Sequence, residues 1–336
     1  MNIREAIRAV TERHDLTIEE ACSSALEIME GHATDAQIAA LLIGLNMKGI
    51  QPSEITGFAL AMRDKATKIE IPRTDLIDTC GTGGDMSGTF NISTVSAFVA
   101  AGAGCCVMKH GNRSVSSGCG SADLLEKLGV KLDALPEKLK ACAENAGIAF
   151  LFAPSLHKAM KYAVGPRKEI GVRTIFNVLG PLTNPAGARR QLIGVFNRDL
   201  TLVVGEVLKN LGSAHCLIVH GTDGLDEITL TGNTAVCELK NGGIREFLIN
   251  PLEFGFELSG RDELKGGDST RNAEITLEIL SGRPGPARDI VLLNAGAAIY
   301  VSGKVPDIAR GVEAARVSID SGRAAFALKK LRELSN

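Results

Sequence analysis

Apolar residues recur at intervals of three and four from the start of the chain to about residue 70, the spacing of helices that bury one face. Two capping boxes punctuate this stretch. Thr17-Ile-Glu-Glu20 and Thr34-Asp-Ala-Gln37 each place a hydroxyl to accept from the third helical N–H and an acid or amide to reach back. Gly31 and Gly49 stand where helices stop. The run Ile38 to Met47 is apolar over much of its circumference, which predicts packing against its own bundle and a second surface, a subunit interface being one candidate.

Beyond residue 70 the pattern changes to short β-rich runs: Asp75 to Asp78, Cys105 to Met108, Ile148 to Phe152, Gln191 to Val195 and His215 to Val219. Helical periodicity falls between them, at Val95 to Ala103, Ser121 to Leu128, Pro136 to Ala146 and Thr201 to Leu211. The alternation predicts an α/β fold: a small all-helical domain (1–70) and a large domain (71–336) with a mostly parallel central sheet flanked by helices. Residues 229 to 250 alternate like antiparallel strands around the turn Asn241-Gly-Gly243, and helices at Ala287 to Val301 and Ile308 to Leu334 close the chain. In such a sheet, ligand loops follow the carboxyl ends of the strands.

Two segments occupy those positions. Asp78-Thr-Cys-Gly-Thr-Gly-Gly-Asp-Met-Ser-Gly-Thr-Phe-Asn-Ile-Ser-Thr94 puts glycines between a strand and a helix N-terminus, where main-chain N–H groups can face an anion. Lys109-His-Gly-Asn-Arg-Ser114 adds a basic loop. The spacing fits neither a mononucleotide P-loop nor a dinucleotide fingerprint. Asp85, closing the glycine run, would repel phosphate unless it binds a cation or sugar hydroxyls. A ligand with both phosphates and a ribose satisfies the pair of loops.

Charge narrows the class: 37 basic residues face 39 acidic ones, and the isoelectric point is about 6.3, so there is no electrostatic footprint for nucleic acid. The eight cysteines, at 22, 80, 105, 106, 119, 142, 216 and 237, form no CxxC pair and read as reduced core thiols. The first residues carry charge from the fourth position and no signal-peptide core, and no apolar run spans a membrane, so a cytoplasmic enzyme of small molecules is expected.

Six motifs in order now become informative together: Gly81-Thr-Gly-Gly-Asp85, Asn91-Ile-Ser-Thr94, Lys109 to Ser114, Gly120-Ser-Ala-Asp123, Arg173-Thr-Ile-Phe-Asn-Val-Leu-Gly-Pro-Leu-Thr-Asn-Pro185 and Gly224-Leu-Asp-Glu-Ile228. The chain closely resembles the anthranilate phosphoribosyltransferase family over nearly its whole length. That resemblance implies Mg²⁺-dependent transfer of a phosphoribosyl group from phosphoribosyl pyrophosphate to the amine of anthranilate, in tryptophan biosynthesis. It also implies a small domain completed by residues from about 162 to 190, substrates in the cleft between domains, and homodimerisation through the helical domain.

Carried over by position, the implied phosphoribosyl pyrophosphate contacts are Gly81, Gly84, Asp85, Thr89, Asn91, Ile92, Ser93, Thr94, Lys109, His110, Gly111, Asn112, Arg113, Ser114, Val115, Ser116, Ser117 and Ser121. Lys109, at a strand end, is expected to offer a mobile charge to phosphate. The implied anthranilate contacts are Gly81, His110, Asn112, His157 and Arg167, the arginine meeting the carboxylate. Asp226 and Glu227, with the Ser93 hydroxyl, are the implied ligands of two magnesium ions, which favour hard oxygen donors. One departure is Lys158 where many relatives carry proline after the histidine. No catalytic acid or base is expected, because an aromatic amine is neutral at pH 7 and the task is positioning and charge neutralisation. The alternatives are a pyrimidine nucleoside phosphorylase, which has no pyrophosphate for Asp226 and Glu227 to neutralise, and a non-catalytic nucleic-acid-binding paralogue, which would need a basic face.

Overall fold

The computed structural model describes residues 1–114 and 118–336. The first four helices are α1 (Ile3–Thr11), α2 (Ile18–Met29), α3 (Asp35–Lys48) and α4 (Pro52–Lys65). Both expected capping boxes form, and a third, Asn2 with Glu5, starts α1. The helical run stops at Lys65 rather than near residue 70. The chain then crosses as an extended connector, with Thr67 N donating to Leu156 O at 2.8 Å and Ile69 N to Pro185 O at 3.1 Å.

The α/β part continues as β1 (Leu76–Gly81), α5 (Ile92–Gly102), β2 (Cys106–Gly111), α6 (Ser121–Lys127), α7 (Pro136–Ala146), β3 (Ile148–Phe152), α8 (Ala153–Leu156), α9 (Lys161–Ile170) and α10 (Phe176–Leu179). It ends with β4 (Arg190–Gly194), α11 (Leu200–Asn210), β5 (His215–Gly221), β6 (Thr234–Lys240), β7 (Gly243–Ile249), α12 (Ser269–Leu280), α13 (Pro286–Ser302), α14 (Ile308–Asp320) and α15 (Arg323–Ser335). The strand order is β3-β2-β1-β4-β5-β6-β7; β1 to β5 run parallel, β6 pairs antiparallel with β5, and β7 antiparallel with β6.

Alternation along the central strands sends side chains to two cores. Leu192, Leu217 and Val219 face the cluster built with α5, α13, α14 and α15. Ile193, Cys216 and Ile218 face the cluster that includes α11, the N-terminal helices and Ala163, Ile175, Phe176, Val178, Leu179 and Leu182. The segment expected to return to the N-terminal helices therefore packs on them. A sheet buried on both faces needs such near-continuous apolar strands.

Three local expectations change. Strand β1 runs on into Gly81, so the first glycine of the motif ends a strand rather than opening a loop. The single C-terminal helix is two, broken at Ser321–Gly322, where Gly322 adopts φ +75°. Helix α12, begun by Asp268 accepting from Arg271 N at 2.9 Å, was not legible as a separate element. Among the described residues no helix is long and apolar enough to cross a membrane, and all eight cysteines are unpaired.

Candidate active site

The carboxyl ends of β1, β2, β4 and β5 gather the motifs at one edge of the sheet. Helix α5 starts at Ile92, so Ser93 and Thr94 lie in its first turn, at the positive end of the helix dipole. Ser93 N donates to Glu227 Oε1 at 3.1 Å, and Gly83 N donates to Asp226 Oδ2 at 3.0 Å. Asp226 N lies 3.4 Å from Asp85 Oδ2. Asp85 and the adjacent pair Asp226-Glu227, far from it in sequence, thus share one corner. Burial, then the neighbouring charge of Asp85, pushes the Asp226 carboxyl above its usual range; burial, then Asp226, does the same to Glu227. A cavity of about 110 Å³ opens beside them between Asp85, Thr89, Asp223 and Leu225.

This crowd of carboxylates fits a divalent cation. Like charges that raise one another's proton affinity are relieved by a cation, and the donors are hard oxygens. Among the described residues no three His, Cys, Asp or Glu side chains converge into a complete ligand set. Mg²⁺ commonly takes one or two carboxylates and fills its octahedron with water and phosphate.

Close approach of main chains builds the corner. A Cβ on Gly194, at the end of β4, would lie 1.5 Å from Asp226 O, so only glycine lets the acidic loop settle against the sheet. Thr82 N donates to Gly194 O at 2.8 Å, and Phe196 N to Thr82 Oγ1 at 3.1 Å, tying the glycine run to the same strand end. Arg173 Nη2 donates to Gly84 O at 2.6 Å while its guanidinium stacks 4.1 Å from the Phe196 ring centroid.

Lys109 departs from the expected mobile arm. It lies inside β2 at 2% exposure, and its ammonium donates to Thr79 O and, at 3.3 Å, to Ser93 Oγ. It is a fixed internal cation beneath the acid corner, and its charge opposes the upward pKa shift of both Glu227 and Asp78. Asp78 is fully buried; burial raises its carboxyl to about 6 against that pull. It accepts from His110 N at 3.1 Å and Asn184 Nδ2 at 2.8 Å, linking β1, β2 and the segment after α10.

The basic loop closes on itself. Ser114 N and Gly120 N both donate to Asp123 Oδ2, at 3.0 and 2.9 Å, and Arg113 pairs with Asp123 and Glu126 on α6. Thr94 Oγ1 and Ser121 Oγ meet at 3.1 Å. Asn91 spends its side chain inside the protein, donating to Cys119 O and accepting from Asn272 Nδ2, each at 3.0 Å. The Ile92 side chain is buried in the core. Gly111 ends β2 and Asn112 follows it at the same edge, exposed. Val115, Ser116 and Ser117 lie outside the described residues.

On the other side of this edge His110 and His157 sit with ring centroids 5.1 Å apart, both buried. His110 Nδ1 lies 3.0 Å from Gly180 O, and a carbonyl makes that nitrogen the donor. Among the described residues the buried Nε2 atoms of both rings have no hydrogen-bond partner. Burial, then His157, lowers His110 to about 3, and burial lowers His157 to about 4, so both are neutral near pH 7. Arg167 on α9 stacks 5.1 Å from the Phe176 ring centroid, and among the described residues no acid pairs with it. Burial lowers its pKa without a compensating anion. Asp78, Arg173, Asn184, Gly194 and Asn272 were not assigned from sequence as site residues; Arg173 and Asn184 sit in the quoted Arg173–Pro185 motif, whereas nothing local marks Gly194 or Asn272.

Fold and site together define a glycosyl transferase built from a helical bundle and an α/β domain. Residues 4–66 match the helical bundle domain of the glycosyl transferase family, and residues 73–325 match its a/b domain. The chain is 52% identical to the anthranilate phosphoribosyltransferase of Desulforamulus reducens, over 99% of this chain and 95% of that one, and 51% identical to that of Geotalea uraniireducens, over 99% of each. The crystal structure of the Thermus thermophilus anthranilate phosphoribosyltransferase superposes with a TM-score of 0.94 at 41% identity, covering 98% of this chain and 99% of that one. That of Saccharomyces cerevisiae, in complex with phosphoribosyl pyrophosphate and Mg, does so with 0.89 at 26%, covering 99% and 97%. The chain belongs to the anthranilate phosphoribosyltransferase family.

Proposed function

We propose that this chain transfers the phosphoribosyl group of phosphoribosyl pyrophosphate to the amine of anthranilate, releasing pyrophosphate, and that the acid corner at the ends of β1, β4 and β5 is where the leaving group is neutralised. The observation that carries the reading is the meeting of Asp226, Glu227, Asp85 and Ser93 at the N-terminus of α5. Asp226, Glu227 and the Ser93 hydroxyl would hold Mg²⁺, two ions in our reading, which when bound supplies positive charge to the departing pyrophosphate. The positive N-terminal end of α5 and the glycine run lie at the same place and suit phosphate oxygens. Val115, Ser116 and Ser117 belong to the same proposed phosphate-binding loop by their position in sequence.

Arg167 suits the carboxylate of the acceptor: a planar guanidinium, desolvated and unpaired with acid, gains most from a planar anion. The neutral imidazoles of His110 and His157 cannot answer that charge and instead offer ring nitrogens and flat walls. Attack by the amine needs no strong base, and alignment carries the rate. We also propose homodimerisation through the helical bundle, whose Met47 and Leu60 side chains are exposed. The test is the decay of anthranilate fluorescence with protein, phosphoribosyl pyrophosphate and Mg²⁺. Decay that requires all three supports the reading, and constant fluorescence with folded protein would remove it in favour of phosphorolysis of uridine or thymidine.

A further inference from the structure

We propose that Asn294, in the middle of α13, is a positioning residue that sets the register of the Asp226-Glu227 pair by clamping the main chain of Ile228. Asn294 is fully buried on a helix whose neighbours Leu292, Leu293, Ala295 and Ala297 are core. Its Oδ1 accepts from Ile228 N at 2.9 Å and its Nδ2 donates to Ile228 O at 2.8 Å. The other amide proton goes to Ile290 O at 2.9 Å, one turn back, so both amide protons and the carbonyl oxygen are used. Ile228 is itself fully buried and lies in no strand or helix, so its two main-chain groups depend on a side chain for partners.

A bidentate amide is the group that can satisfy a buried N–H and C=O of one residue at once. It does so on the residue directly after Glu227. Glu227 is thereby held from two sides: Ser93 N grips its carboxylate at 3.1 Å, and Asn294 fixes the chain behind it. Both supports come from packed helices, and α5 and α13 are joined to each other where Ser96 Oγ meets Val291 O at 3.5 Å. Asn294 bonds to the main chain of Ile228 and Ile290 and not to the acids themselves, and acts through the placement of the acids. The role rests on the metal assignment proposed above.

The test measures Mn²⁺ binding in the presence of phosphoribosyl pyrophosphate, by water-proton relaxation or calorimetry, alongside the KM for each substrate. Asn294→Leu removes the clamp. Asn294→Asp, the same size, keeps the acceptor for Ile228 N and replaces the donor to Ile228 O, so it serves if the leucine variant does not fold. At least tenfold weaker Mn²⁺ binding in a folded variant, with the KM for anthranilate within about twofold of wild type, is expected. Mn²⁺ affinity within twofold of wild type, or equal losses for both substrates, overturns the clamp. Wild-type protein that binds no Mn²⁺ with phosphoribosyl pyrophosphate overturns the metal assignment instead.

Discussion

Ser93 N and Glu227 Oε1 meet at 3.1 Å across 134 residues of sequence, joining the first turn of α5 to the acidic loop after β5. A helix N-terminus stabilises the carboxylate, and in the proposed reading that carboxylate would be one of the groups that hold Mg²⁺. Removing the acids should therefore cost activity more than stability. Asp226→Asn combined with Glu227→Gln is expected to abolish turnover at millimolar Mg²⁺ while the melting temperature holds or rises, because two crowded carboxylates become neutral. Unchanged turnover would end the metal assignment.

Gly194→Ala tests the close approach that seats this loop. The added methyl would stand 1.5 Å from Asp226 O, so the loop must move. The expected outcome is a loss of kcat/KM of about a hundredfold or more, with destabilisation of about 1–3 kcal/mol as for other overpacked sites. Urea denaturation and steady-state kinetics together check it, and near-wild-type kinetics would show that the loop tolerates displacement.

Lys109→Met separates an internal cation from a phosphate-reaching arm. Burial at 2% exposure and its pull on Asp78 and Glu227 predict a loss of about 3–5 kcal/mol, the cost of leaving buried acids without their counter-charge. An arm in the cleft would leave the melting temperature alone and raise only the KM for phosphoribosyl pyrophosphate.

Arg167→Ala should raise the KM for anthranilate by about tenfold or more, the worth of a charge-assisted hydrogen-bonded pair, and leave that for phosphoribosyl pyrophosphate nearly constant. A rise confined to phosphoribosyl pyrophosphate would move this arginine to the other substrate.

Glu238 supplies a pH test remote from the site. Burial raises its carboxyl, but hydrogen bonds from His215, Tyr300 and Arg245 outweigh that and hold it at about 2, below its ordinary 4.5. A depressed acid contributes stability that is full above its unfolded pKa and is lost as pH falls through the folded one. Glu238→Gln should thus cost about 1–3 kcal/mol at pH 7, the gap to wild type narrowing between pH 4.5 and 2. Thermal melts across that range decide it, and a gap constant down to pH 2 would show that the carboxylate's charge is not what the partners hold.

Much of this molecule was written in local pattern. Capping boxes, apolar periodicity and glycine punctuation act over a few residues, so the N-terminal helices, the five parallel strands and the motif loops at their ends could be read directly, whereas the chemistry expected of those loops came from the family resemblance of their motifs. The readings that moved are those where distant packing decides. Ser321–Gly322 breaks a continuous helical pattern because Gly322 takes a left-handed turn. Lys109 looked like an exposed strand-end cation, and only the surrounding strands and α5 make it internal.

By itself, then, the sequence determined which chemistry was available: anion-facing glycine loops, hard carboxylates at 226 and 227, and an arginine at 167. Tertiary structure decided who supports whom. The bareness of Gly194 against Asp226 O, the grip of Asn294 on Ile228 and the link from Asp78 to Asn184 are contacts between residues 32 to 106 apart, and no local propensity encodes a distance. They exist because a sheet buried on both faces brings its strand ends, and the helices packed on them, to one edge.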